Sequence, residues 1–138
     1  VWQFRANAKY QREFNNLLAL NVDVNYIWFD QLVSNKAGLT AEISLPVTLR
    51  NKIKAIPSLN YIGSRDALIL SGLFIEPAEY ATIQLDNLYL LDFDINYSYT
   101  EKIGLSIKAH NVLNVTTPLW NGYEEMGINY SLGLNYIF

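Results

Sequence analysis

Apolar residues occupy every second position at the end of this chain. Ile128, Tyr130, Leu132, Leu134, Tyr136 and Phe138 alternate with Asn129, Ser131, Gly133 and Asn135, and only Ile137 breaks the pattern. Successive strand side chains point to opposite faces, so this is a strand with one greasy face and one wet face. Its tyrosines lie near both ends of the greasy face and its last residue is aromatic. That distribution fits a membrane-crossing strand, whose aromatics gather at the two interfaces.

The same period of two recurs along most of the 138 residues. Seven alternating segments are predicted, at about Val1–Tyr10, Asn16–Asp30, Gly38–Arg50, Ile53–Ile62, Asn87–Tyr99, Lys102–His110 and Met126–Phe138. The fourth is ambiguous in phase, and Pro57 weakens it as a central strand. Glu76–Tyr80 could start a short helical turn. The expected class is all-β. Hydrophobic residues make up 51% of the chain. Mean hydropathy is only +0.06, because polar residues interleave with the apolar ones. No apolar run nears the roughly 18 residues of a transmembrane helix, so any membrane crossing here is by barrel strands.

The connections are sorted by length. Gln11–Asn15, Arg50–Lys52 and Thr100–Lys102 are short, whereas Gln31–Ala37, Ser64–Asp86 and Asn111–Glu125 are long. Outer-membrane barrels place short turns on the periplasmic side and long loops outside. If Phe138 ends on the periplasmic side, counting back through seven strands puts Val1 outside. Single-chain bacterial barrels have even strand numbers. The expectation is therefore that strands precede Val1. Residues 1–138 would then be the C-terminal portion of a larger antiparallel transmembrane barrel, with no second domain. The competing expectation makes Ala67–Ile75 an eighth membrane strand of a complete small barrel.

Composition excludes several functions. A net charge of −3 without a Lys/Arg cluster argues against nucleic acid. There is no cysteine, hence no disulfide, thiolate nucleophile or Cys-based metal site. His110 is the sole histidine and has no carboxylate at ligand spacing, so no metal or cofactor is expected. Ser64-Arg65-Asp66 matches no nucleophile elbow, and there is no phosphate-cradling Gly-rich loop. An enzyme is not expected.

Some of these residues also resemble a known family. Asn111-Val112-Leu113-Asn114, Trp120-Asn121-Gly122-Tyr123, Gly127-Ile128-Asn129, Gly133 and the terminal Phe138 resemble the end of TonB-dependent receptor barrels, Bacteroidota branch. The likeness covers about Leu85–Phe138. Tyr61-Ile62-Gly63-Ser64-Arg65 resembles an earlier strand end of such barrels more weakly. Thr117-Pro118 and Glu124-Glu125 depart from the family pattern. The resemblance implies an outer-membrane protein that takes part in ligand or nutrient uptake. It also implies contact with outer-membrane lipid, with the assembly machinery, and with TonB through N-terminal regions. A structural barrel that scaffolds partners without transport, or a soluble β-sandwich or lipocalin-like binder, would share much of the pattern.

Three groups of candidate residues follow. Phe138, Tyr136 and Leu134 would form an assembly signal read by strand pairing, or simply face lipid. Asp92, Asp94, Lys108 and His110 fall on the polar faces of adjacent strands. They would face the lumen, either along a transport path or as cross-strand charge pairs. Trp120 and Tyr123, in the last outer loop, would stack on a sugar or aromatic ligand, or belong to the outer aromatic girdle.

Overall fold

The computed structural model of the chain describes residues 1–70 and 80–138. Its main element is one antiparallel sheet built from β1 (Gln3–Asn15), β2 (Leu18–Phe29), β3 (Leu39–Ser44), β4 (Val47–Leu49), β5 (Ile53–Ile62), β8 (Leu88–Ser98), β9 (Ile103–His110) and β12 (Asn129–Tyr136). The order is β1-β2-β3-β5-β8-β9-β12, with β4 continuing the line of β3 beside β2 and β5. The all-β, antiparallel expectation holds.

Register resolves the faces. Phe4 pairs with Trp28, Ala8 with Val24, Val22 with Ile43, Ile43 with Leu59, Leu59 with Leu91, Ile95 with Ile107 and Ile107 with Leu132. Directly opposed residues share a face, so the apolar positions of every strand form one continuous surface. The phase of β5 follows from its partners. Ile53, Ala55, Pro57, Leu59 and Tyr61 join the apolar face, while Lys54, Ser58 and Asn60 join the polar one.

Aromatics occupy the two ends of that apolar face. Trp2, Phe4, Tyr26, Trp28, Tyr61, Tyr89 and Tyr130 lie toward the long loops. Phe14, Tyr97, Tyr99, Tyr136 and Phe138 lie toward the tight turns. Along β8 the nine residues from Tyr89 to Tyr97 span about 27 Å at strand rise, close to a bilayer's apolar band. Most of these side chains are uncovered; Trp2, Tyr130 and Leu132 are 82%, 68% and 81% exposed. A soluble sandwich buries such a face against a second sheet. Among the described residues no second sheet covers it. The remaining strands form two short hairpins, β6 (Arg65–Leu70) with β7 (Tyr80–Leu85), and β10 (Pro118–Trp120) with β11 (Tyr123–Glu124).

Several sequence expectations are corrected. The first strand runs past Tyr10 to Asn15, because Gln11, Arg12 and Glu13 pair with Asn21, Leu20 and Ala19. The turn is therefore Asn16-Leu17, closed by the Asn15 Oδ1, which accepts from the amides of Leu17 and Leu18 at 2.9 and 2.8 Å. The third strand is interrupted at Leu45-Pro46. Continuing the register of Ser44 with Ser58 and Val47 with Ala55 sets Leu45 opposite Pro57. The Leu45 amide donates to the Pro57 carbonyl at 3.0 Å, but Pro57 has no N–H to return the bond. Of the Ala67–Ile75 candidate, Ala67–Leu70 does not join the main sheet but pairs with β7 inside the long connection, and residues 71–75 lie outside the described residues. The last strand begins at Asn129 rather than Met126. Tyr80 starts β7 rather than ending a helical turn, and Glu76–Glu79 lie outside the described residues.

The tight turns follow local chemistry. Arg50 and Asn51 both take positive φ, 51° and 53°, and the Lys52 amide donates to the Leu49 carbonyl at 3.0 Å. That is the primed two-residue turn whose twist matches a hairpin. At the next turn the Thr100 hydroxyl accepts from the amides of Lys102 and Ile103. The three long connections all leave from the opposite end of the sheet.

Candidate functional site at the loop-bearing end

The hydrophobic residues buried among those described are Ala67, Leu85, Leu88 and Leu90, and all of them sit where the long loops leave the wall. Two polar residues are buried beside them. Arg65, 4% exposed, opens β6 immediately after the Gly63-Ser64 link from β5. Its guanidinium donates to the carbonyls of Leu119 at 2.9 Å, Asp86 at 3.1 Å and Gly63 at 3.3 Å, and to that of Pro118. The cation thus meets only neutral carbonyls, and burial pulls its pKa below the ordinary guanidinium value. Arginine stays charged under that shift, because its reference value is far above neutrality. The side chain joins the root of the β6–β7 hairpin to the root of the β10–β11 hairpin.

The first long loop is tied to the same place. The Asn35 amide donates to the Asp66 carbonyl at 2.7 Å, and the Leu68 amide donates to the Ser34 hydroxyl at 3.0 Å. Asn35 Oδ1 accepts from the Asn121 amide at 3.0 Å. Three connections far apart in sequence are therefore one knitted cap.

Asn111 is fully buried and takes a positive φ of 52°. Asparagine tolerates that left-handed conformation better than most residues. Its Nδ2 donates to the carbonyls of Val115 and Met126 at 2.7 and 2.8 Å, and its Oδ1 accepts from the Val115 amide at 2.9 Å. Asn114, also at positive φ (53°), accepts the Ile128 amide at 3.0 Å. The two asparagines of Asn111-Val112-Leu113-Asn114 hold the base of the last loop against the start of β12.

The predicted polar group comes together on the polar face. Lys108 Nζ lies 3.5 Å from Asp94, its direct cross-strand partner. His110 Nδ1 lies 2.8 Å from Asp92, and its Nε2 lies 3.3 Å from Glu125 of the last loop. Asp92 further accepts the Asn111 amide at 2.9 Å and Asn60 Nδ2 at 3.2 Å. Asp92 is thus the joint between wall and loop. Next to it is an open groove of about 470 Å³, with Asp23, Glu42, Asn60, Asp92 and His110 in its lining. Asp23 is held by Lys9 at 2.9 Å, and by Asn7 and Asn25 at 2.7 and 2.9 Å.

Trp120 and Tyr123 face each other across the β10–β11 hairpin, which turns through Asn121-Gly122 with Gly122 at a φ of 81°. That hairpin is separate from the main sheet. Leu134, Tyr136 and Phe138 lie at the tight-turn end of β12. Leu134 and Tyr136 pair with Leu105 and Ile103 of β9, and the other edge of β12 is open among the described residues. Tyr136 and Phe138 pack edge to face at 5.1 Å.

Arg65, Glu125 and the lysine–aspartate pair of β1 and β2 were not among the sequence candidates. Arg65 could have been suspected, since it stands alone between Gly63 and the apolar run from Ala67. Three of its four partners are backbone carbonyls 21 to 54 residues away, which no pattern encodes.

The fold so defined is an antiparallel β-sheet with one uncovered apolar face. Among solved structures, the chain is similar to one in the FpvAI–pyocin S2 complex, with a TM-score of 0.77 and 12% identity. That match covers 97% of this chain and 19% of the other. It is also similar to the ferripyoverdine receptor of the outer membrane of Pseudomonas aeruginosa bound to ferripyoverdine, with a TM-score of 0.75, 13% identity, and 97% and 19% covered. A third similarity is to the pyoverdine receptor FpvA of P. aeruginosa PAO1, with a TM-score of 0.75, 14% identity, and 96% and 21% covered. The chain thus spans about a fifth of the length of these structures. No family model matches the chain, and no curated protein matches it.

Proposed function

We propose that this chain forms part of the wall of an outer-membrane barrel of the TonB-dependent receptor type and takes part in ligand uptake. One observation carries the reading: a single sheet with an uncovered apolar face, ringed by aromatics at both ends, follows the course of outer-membrane receptor barrels over 97% of its length. The apolar face contacts lipid and the polar face lines the lumen. The knitted long loops stand outside the cell, and the tight turns stand in the periplasm.

Further strands complete the barrel, in this reading. Both β1 and β12 have an unpaired edge among the described residues, and an open edge in hydrocarbon leaves backbone groups unsatisfied. The chain is then one portion of a larger barrel. Leu134, Tyr136 and Phe138 present the exposed end of β12 to the assembly machinery. Placement in the Bacteroidota branch rests on the Asn111–Asn114, Trp120–Tyr123 and Phe138 motifs.

The test is fractionation with gel mobility, followed by growth of a deletion strain on single nutrient sources. Recovery in the outer-membrane fraction, with a heat-modifiable band, supports the barrel. Recovery in the soluble fraction without detergent refutes it. Loss of growth on one source supports uptake, whereas unimpaired growth on every source favours a scaffold.

A further inference from the structure

The β10–β11 hairpin presents a binding surface outside the wall. Trp120 and Tyr123, 55% and 75% exposed, stand directly opposite each other on its short ladder, so their rings lie on one side of it. Solvent-facing aromatics on a floppy loop would mean little. This hairpin is fixed at its root by two Arg65 bonds, to the carbonyls of Pro118 and Leu119, and at its tip by the Asn121 amide on Asn35. It borders a cleft of about 570 Å³ lined by Leu119, Trp120, Tyr123, Glu124, Glu125 and Met126.

The lining is apolar and aromatic apart from two carboxylates, and it includes no Lys or Arg. Glu124 is exposed and lies in no ion pair among the described residues. Glu125 is turned inward onto His110, which Asp92 also contacts. One imidazole between two carboxylates leaves net negative charge even when it is protonated. The Arg65 cation behind the hairpin is directed at carbonyls rather than into the cleft. Anionic ligands meet repulsion here. A cation over indole and phenol faces gains from the ring quadrupoles and from the carboxylates together.

We propose that this cleft binds a small organic cation, an ammonium group carrying an apolar or aromatic body. The ammonium sits over Trp120 and Tyr123, Glu124 supplies the counter-charge, and the apolar body packs on Leu119 and Met126.

Met126 lines the cleft, so its methyl reads binding there directly, with its signal assigned by loss in M126L. The protein in detergent, labelled with ¹³C at the methionine methyl, is titrated with benzyltrimethylammonium. Neopentylbenzene, its neutral isostere, and benzoate are titrated in parallel. The expected result is a saturable shift of the Met126 methyl with the cation and none with benzoate, with the neutral isostere binding about tenfold more weakly. E124Q should weaken the cation about threefold to tenfold and leave the neutral isostere unchanged. W120A should abolish the shift, and W120F should restore part of it while heat-modifiable mobility confirms an intact wall. Equal dissociation constants for the cation and its isostere overturn the proposal, as does the absence of saturation. Both readouts are of binding, so they stand or fall apart from the uptake reading.

Discussion

Arg65 offers the sharpest test of how the loop-bearing end is held. Replacing it with alanine removes donors to the carbonyls of Leu119, Asp86, Gly63 and Pro118 at a site 4% exposed. Hydrogen bonds from a charged donor are worth about 1.5–3 kcal/mol each, and the bond to Gly63 at 3.3 Å falls beyond the usual range. The remaining three would sum to about 5–9 kcal/mol if nothing compensated. Two terms reduce that sum: the guanidinium no longer needs desolvating, and water can reach carbonyls at a loop root. A net loss of about 3 kcal/mol is expected, confined to the cap. Converted at about 1.4 kcal/mol per factor of ten, opening should rise about a hundredfold. Hydrogen exchange at the Asn121 amide, which is bonded to Asn35 across the same junction, reads this opening directly. Amides of β8 and β9 serve as internal controls. R65K should lie between wild type and R65A, because an ammonium is a compact charge without the planar fork that reaches four carbonyls. Unchanged exchange at Asn121 in R65A would refute the clamp. Equal acceleration in β8 and β9 would show that Arg65 supports the wall instead.

Three other outcomes are expected. I107R puts a charge in the middle of the apolar face, between Ile95 and Leu132, and should destabilise the barrel in a bilayer by about 2–4 kcal/mol. S106R, one residue along on the polar face, should cost far less, and urea unfolding in vesicles that ranks the two alike would contradict the assigned sidedness. N111A removes three buried side-chain bonds and leaves alanine at a φ of 52°, so a loss of about 2–4 kcal/mol is expected by thermal unfolding. N111G should lose less, because glycine accepts that backbone without strain. Deleting Phe138 should lower outer-membrane insertion yield, and an unchanged yield removes β12 as an assembly signal.

The wall was legible because its cause is local. A strand that faces lipid on one side and water on the other must alternate, and alternation survives in one dimension. Even the phase of β5, undecidable from its own residues, follows once Leu59 and Tyr61 are set beside Leu91 and Tyr89. Pro57 signals a defect in the sheet, and one is present, although β5 itself tolerates it. The break falls on its neighbour, at Leu45-Pro46, where the missing N–H would have pointed. The first turn was misplaced for a related reason. Gln11–Asn15 looks like a polar connection, yet near a membrane boundary both faces of a strand can be polar.

The loop-bearing end obeys different physics, which explains why it was hidden. Its order comes from single side chains on distant backbone carbonyls: Arg65 reaching Leu119, Asn35 meeting Asn121, Asn111 spanning from Val115 to Met126. Such bonds have no period and no preferred spacing. They also sit where the buried hydrophobic residues are, so the two halves of the molecule are stabilised by different means. The wall exposes its apolar face, which lipid would cover in the proposed barrel, whereas the cap is cross-linked by polar bonds around a few buried residues. If the proposed barrel is right, a substitution in the cap should therefore alter the long-loop surface while leaving membrane insertion intact. A substitution on the apolar face should do the reverse. That separation makes the Trp120–Tyr123 hairpin a tolerable place for variation: its attachment depends on main-chain carbonyls, which any residue at positions 118 and 119 would supply.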